Sequence, residues 1–153
     1  AVGWVVQVLE ALQHAHDRGF VHRDVKPSNL LVAPGPGGSE AVKLADFGLA
    51  RAYEASPLSG LTLTGTAGGT PPFMPPEQVL DMRSVRPAAD QYAAAATLYR
   101  LLAGRHVHPP CARIEDLFGR ILQSDPEPLS GHRPDIPPGL ATAVHRALAR
   151  DPV

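Results

Sequence analysis

The run from Pro87 to Leu102 constrains the fold more than any other. Its centre, Ala88-Ala89-Asp90-Gln91-Tyr92-Ala93-Ala94-Ala95-Ala96-Thr97-Leu98-Tyr99, reads as a helix that is apolar nearly all round. Such a helix has almost no face to offer water, so it belongs in the middle of a domain with other elements packed around it. Asp90 is then a charge inside an apolar helix. A buried carboxylate needs hydrogen-bond partners, and the rest of the chain must supply them.

At 153 residues the chain allows one compact domain. Aromatic residues make up only 5%, so alanine, leucine and valine must fill its core. The net charge of −1 gives no electrostatic case for binding nucleic acid or a membrane surface. No apolar run reaches the roughly 18 residues that would suggest a membrane span, and there is no signal-peptide pattern. The single Cys111 cannot form an internal disulfide. It fits a reducing compartment and a small packing role. Nothing in the residues names an oligomeric state.

From Trp4 to Arg18, Val5, Val8, Leu9, Leu12 and Ala15 recur at helical spacing, and Gly19 suits the position just past the helix end. His14 and His16 read as helix-surface and helix-end histidines, because no partner stands at metal-ligand spacing. Leu30–Val32 and Val42–Ala45 are short β-type runs. The turn-rich linker Pro34-Gly35-Pro36-Gly37-Gly38-Ser39 joins them into a hairpin that sets Asn29 beside Asp46. That linker lacks the Lys-Ser/Thr of a phosphate loop and opens no helix. Residues 46–77 form a long segment rich in Gly, Thr and Pro, of the kind that is usually functional or disordered. Ile114–Leu122 and Gly139–Arg150 read as further amphipathic helices, the second led by Leu140, Val144 and Leu148.

The chemistry is concentrated in Val21-His22-Arg23-Asp24-Val25-Lys26-Pro27-Ser28-Asn29 and in Asp46-Phe47-Gly48. Phosphoryl transfer needs positioning and charge neutralisation. Asp24 can orient an attacking hydroxyl. Lys26, two residues along an extended loop, falls on the same side and can meet phosphate charge. Asn29 and Asp46 offer hard oxygen ligands suited to Mg²⁺. Five fixed residues in His-Arg-Asp-x-Lys-x-x-Asn arise by chance in a chain this long at roughly 10⁻⁴ or less, which disfavours an ordinary polar turn.

On these motifs the chain resembles the C-terminal lobe of a eukaryotic-type serine/threonine protein kinase. The resemblance implies a mainly α fold, a helical bundle with a small β-hairpin carrying the catalytic and metal-binding loops. It implies ATP and Mg²⁺ as cofactors and a protein with Ser or Thr hydroxyls as the partner. By resemblance Asp24 is the catalytic base, and Lys26 marks a Ser/Thr kinase. Asn29 and Asp46 bind Mg²⁺, and Leu31 lies under the adenine. Asp90 anchors the backbone of the His22-Arg23 turn. Thr70 hydrogen-bonds near Asp24 and Lys26. The segment ending Pro75-Pro76-Glu77 stands where the family usually has Ala-Pro-Glu. Thr62, Thr64 and Thr66 lie where activating phosphorylation occurs, and Arg23 is placed to receive the phosphate. The Asp-Gln-Tyr and Leu-Tyr-x-Leu-Leu-x-Gly runs resemble bacterial members, which suggests a cytoplasmic domain whose parent can be tethered to a membrane through a segment outside this chain.

The family's Gly-rich loop, its strand lysine and that lysine's glutamate partner are not in these residues. The ending at Asp151-Pro152 stops before the arginine that pairs with Glu77 in the family, so Glu77 is expected to lack its partner. Residues 1–153 therefore read as a partial kinase domain, inactive alone. The competing readings are a non-catalytic scaffold and a small-molecule phosphotransferase. The retained Asp24, Lys26, Asn29 and Asp46 disfavour the first, and the peptide-docking segment ending at Glu77 disfavours the second. Mass spectrometry of the intact kinase after incubation with MgATP should find phosphate on Thr64 or Thr66. An unmodified loop in a fully active enzyme would remove this regulatory role.

Overall fold

The computed structural model describes residues 1–47, 69–81 and 85–151. Gly48, Thr62, Thr64 and Thr66 lie outside the described residues. Helix α1 spans Val2–His16, and Val5, Val8, Leu12 and Ala15 form its buried stripe. Leu9, expected on that stripe, is 41% exposed instead, because it sits beside the buried face rather than on it. The helix stops two residues before the expected Arg18. Gly19 takes a left-handed φ of 77° while Phe20 N–H returns to Ala15 O at 3.0 Å.

A short 3₁₀ turn at Pro27–Asn29 leads into β1, Leu30–Pro34. Its antiparallel partner β2 is Glu40–Leu44, paired from Leu30 opposite Leu44 to Pro34 opposite Glu40. Both strands run further toward the linker than expected. The connection between them contains a 3₁₀ turn at Pro36–Gly38, where Gly37 and Gly38 take positive φ of 65° and 80°. A lone two-stranded hairpin is marginal in water. Here α1 holds it: Trp4 Nε1 donates to Glu40 Oε2 (2.7 Å), Gln7 Nε2 to Glu40 O (3.1 Å), and Val42 N–H to Gln7 Oε1 (2.9 Å).

After a 3₁₀ turn at Pro71–Phe73 comes the short helix α2, Pro76–Leu80. The central helix α3 spans Pro87–Ala103, with proline in its first turn and Gly104 closing it at φ 71°. Residues Ala89, Asp90 and Tyr92 to Tyr99 are all buried. Its alanines let neighbours approach closely, and α1 and two of the later helices pack around it. Helix α4 (Ile114–Gln123) packs instead against α2 and the Pro71–Phe73 turn, while α5 (Leu129–His132) and α6 (Pro138–Ala147) are the later helices that lie against α3. Helix α6 ends before the expected Arg150, although Leu148 still packs in the core. Among the described residues the fold is thus mainly helical with one two-stranded sheet. Among the described residues no helix is long and apolar enough to cross a membrane.

One packing contact makes stability sensitive to pH. Leu129 N–H donates to His145 Nε2 at 2.9 Å, which requires an unprotonated Nε2. Burial lowers the His145 pKa below its usual 6.5. The unfolded chain therefore takes up the proton first, so this contribution to stability is present above pH 6.5 and is lost as pH falls through the lower folded value. His106 and His108 shift in the same direction, also through burial. The urea midpoint should fall between pH 7 and pH 5. In His145→Gln, which keeps an acceptor but does not titrate, the fall should be measurably shallower.

Candidate active site

The site is built on the loop between α1 and β1. The loop is fastened from below by the Asp90 carboxylate, which is 0% exposed on α3. His22 N–H donates to Asp90 Oδ2 at 2.8 Å and Arg23 N–H to Oδ1 at 2.7 Å. A third partner comes from α1, where His16 Nε2 lies 2.7 Å from Asp90 Oδ2. His16 is therefore not a bland helix-end histidine. Val8, Leu12 and His16 follow one another at four-residue spacing, so His16 continues the buried stripe, and that was its sequence signal. His14 is a surface residue, with Arg18 as its neighbour.

The turn that Asp90 holds is strained. Arg23 has φ 70°, a left-handed conformation that costs a non-glycine residue roughly 1–2 kcal/mol. Strain of this kind persists only where surrounding contacts enforce it. The His22 ring, 1% exposed, is one of them. Its Nε2 donates to Ala45 O at 2.8 Å and its Nδ1 accepts from Asp24 N–H at 3.3 Å. The Phe47 ring meets it edge-on at 4.7 Å between centroids. Val25, fully buried, pins the next residue into the core, and its carbonyl accepts from Thr97 Oγ1 at 3.4 Å.

Above this base three side chains form a triangle. Lys26 Nζ lies 2.6 Å from Asp24 Oδ2 and donates to Thr70 Oγ1 at 2.6 Å. Thr70 Oγ1 donates to Asp24 Oδ1 at 2.8 Å. Asp24 and Lys26 are both partly open to solvent, so an incoming group can reach them. Asn29, 4% exposed, donates from Nδ2 to Asp24 O at 2.8 Å, which turns its side-chain oxygen the other way.

The hairpin brings in the second acid. Ala45 N–H donates to Asn29 O at 2.8 Å, extending the strand pairing by one step, and Asp46 follows at φ 61°. Asp46 is exposed beside the Asn29 end of the loop. Among the described residues no three His, Cys, Asp or Glu side chains converge as a metal cage. One amide oxygen and one carboxylate fit Mg²⁺, which typically takes only one or two protein ligands together with phosphate oxygens and water. Leu31, on β1, is 55% exposed.

Two further residues lie away from the triangle. Glu77, half-buried on α2, faces a cavity of about 450 Å³ that Tyr92, Thr142 and Arg146 also line. Burial, with Glu77 nearby, raises the Tyr92 pKa. Among the described residues Glu77 forms no ion pair. Gln78, 2% exposed, donates from Nε2 to Arg23 O at 2.9 Å. No sequence signal singled it out, because a five-residue helix is too short to display a periodic face.

The family model described as "Protein kinase domain" matches residues 1–152. The chain is 39% identical over 99% of its length to the serine/threonine-protein kinase Pkn1 of Myxococcus xanthus. It is 36% identical over 97% of its length to PknF, and 34% identical over 99% to PknA, both serine/threonine-protein kinases of Mycobacterium tuberculosis. It spans 22%, 30% and 32% of those three proteins respectively. The loop that Asp90 fastens, the triangle above it and the match along the whole chain lead to one conclusion: this chain belongs to the protein kinase family, among the serine/threonine kinases.

Proposed function

We propose that residues 1–153 are the C-terminal-lobe part of a kinase domain that transfers phosphoryl groups from ATP to Ser and Thr hydroxyls of proteins, with Mg²⁺ as cofactor. The observation that carries this reading is the triangle of Asp24, Lys26 and Thr70, closed by contacts of 2.6, 2.6 and 2.8 Å. A purely scaffolding lobe has no chemical use for a carboxylate held between a cation and a hydroxyl.

In this reading Asp24 accepts a hydrogen bond from the attacking hydroxyl and takes its proton. Lys26 keeps positive charge beside the transferring group. Thr70 ties the substrate-docking segment, which ends at Glu77, to both. Asn29 and Asp46 would hold Mg²⁺, which would supply neutralisation of the nucleotide's phosphate charge. Leu31 offers apolar surface to the adenine. His22, Phe47, Gly48 and Asp90 support the loop. Arg23 pairs by charge-assisted hydrogen bonds with a phosphate carried on Thr62, Thr64 or Thr66. The work of such a domain is cytoplasmic, where ATP and protein substrates meet.

Asp24→Asn in the full-length kinase should lower kcat by roughly 10²–10⁴ while leaving the protein folded by circular dichroism, because the amide cannot take the proton. Transfer at the wild-type rate would remove Asp24 from the mechanism and favour the scaffold. Purified residues 1–153 alone should show no MgATP-dependent phosphorylation of a protein substrate above background. Robust turnover would overturn the partial-domain reading.

A further inference from the structure

We infer that Gln78 is a positioning residue for Asp24: its buried amide clamps the Arg23–Asp24 peptide and so sets the direction in which the carboxylate points. The inference rests on the kinase reading above. The carbonyl that Gln78 holds, at 2.9 Å, belongs to the peptide bond joining Arg23 to Asp24. The N–H of the same peptide, on Asp24, donates to His22 Nδ1. The N–H of the preceding peptide, on Arg23, donates to Asp90. The two peptide planes flanking Arg23 are thus held at three points. Because φ of Arg23 is 70°, local preference does not keep them there, and the anchors must.

Two of these anchors, His22 and Asp90, belong to the loop and the central helix. Gln78 alone comes from the segment that leads out of the substrate-docking region. The same segment makes room for it. A Cβ on Gly69, whose φ is 143°, would lie 2.8 Å from Gln78 Nε2, 2.8 Å from Met74 Cε and 3.3 Å from Arg23 O. Glycine therefore lets the backbone lie directly against the clamp. The next residue, Thr70, donates to the Asp24 carboxylate. One stretch of chain, Gly69 to Leu80, grips the catalytic residue twice: its backbone through Gln78 and its carboxylate through Thr70. A displaced docking segment would misdirect the Asp24 carboxylate while Asp46, on the other loop, keeps its place.

The test uses Gln78→Met in the full-length kinase, which keeps the shape of the side chain and removes the donor. Hydrogen–deuterium exchange across residues 22–26, kcat, and KM for ATP and for a Ser/Thr peptide are measured, with melting temperature as the check on folding. Exchange at the Arg23 and Asp24 amides should rise about tenfold. The kcat should fall on the order of 10- to 100-fold, with KM for ATP unchanged. A merely structural role would lower the melting temperature and leave kcat of the folded fraction intact. Wild-type exchange, or raised exchange with wild-type kcat, overturns the inference. Should Gln78→Met fail to fold, Gly69→Ala decides: it pushes the amide off Arg23 O and must reproduce the exchange and kcat changes. A wild-type enzyme that phosphorylates no protein counts against the kinase reading instead, while exchange still reports on the clamp.

Discussion

The Asp90 carboxylate is the point on which the site depends. Taking an ionised carboxylate out of water costs several kcal/mol unless its oxygens are occupied. Both oxygens are occupied, by the backbone N–H groups of His22 and Arg23 and by the His16 ring. The three donors come from two different parts of the chain, so one buried group joins α1, α3 and the active loop. Without the acceptor, two backbone N–H groups would be stranded in the interior. The need to satisfy a buried charge thus positions a loop that its own conformational preferences would not form.

Local strain and distant support go together throughout the site. Arg23 and Asp46 are the non-glycine residues with positive φ among those described, and they flank the chemistry on its two loops. Arg23 is held by Asp90 and Gln78, and Asp46 follows the strand extension in which Ala45 bonds to Asn29. His22 links the two loops, reaching Ala45 O from one ring nitrogen and Asp24 N–H from the other. Rigid supports of this kind keep the Asp24 and Asp46 side chains in place through the surrounding fold.

Legibility in the sequence followed the range of each interaction. The central helix was readable because its alanine-rich run has no polar face, and Asp90 was conspicuous there for the same reason. The hairpin was readable from two β-type runs around a Pro/Gly linker, although the strands extend further into that linker than composition suggested. Leu9 was misplaced because it neighbours a buried stripe in sequence without sharing its angular position. Sequence alone makes His16 an ordinary helix-end histidine, because its partner lies 74 residues away. Gln78 was passed over because its partner is a backbone carbonyl 55 residues away, which leaves no residue-type signature.

By itself the sequence determined the chemical equipment: an acid, a cation and an amide at fixed spacing on one loop, a second acid after a hairpin, and a central helix too apolar to lie at the surface. Spacing over a few residues is enough for that, because backbone geometry limits where neighbouring side chains can point. Only the tertiary structure decided which groups meet. Thr70 reaches Asp24 across 46 residues, and Asp90 reaches His22 across 68. Those meetings follow from burying apolar faces around α3, and the resulting contacts leave no periodic trace in the chain.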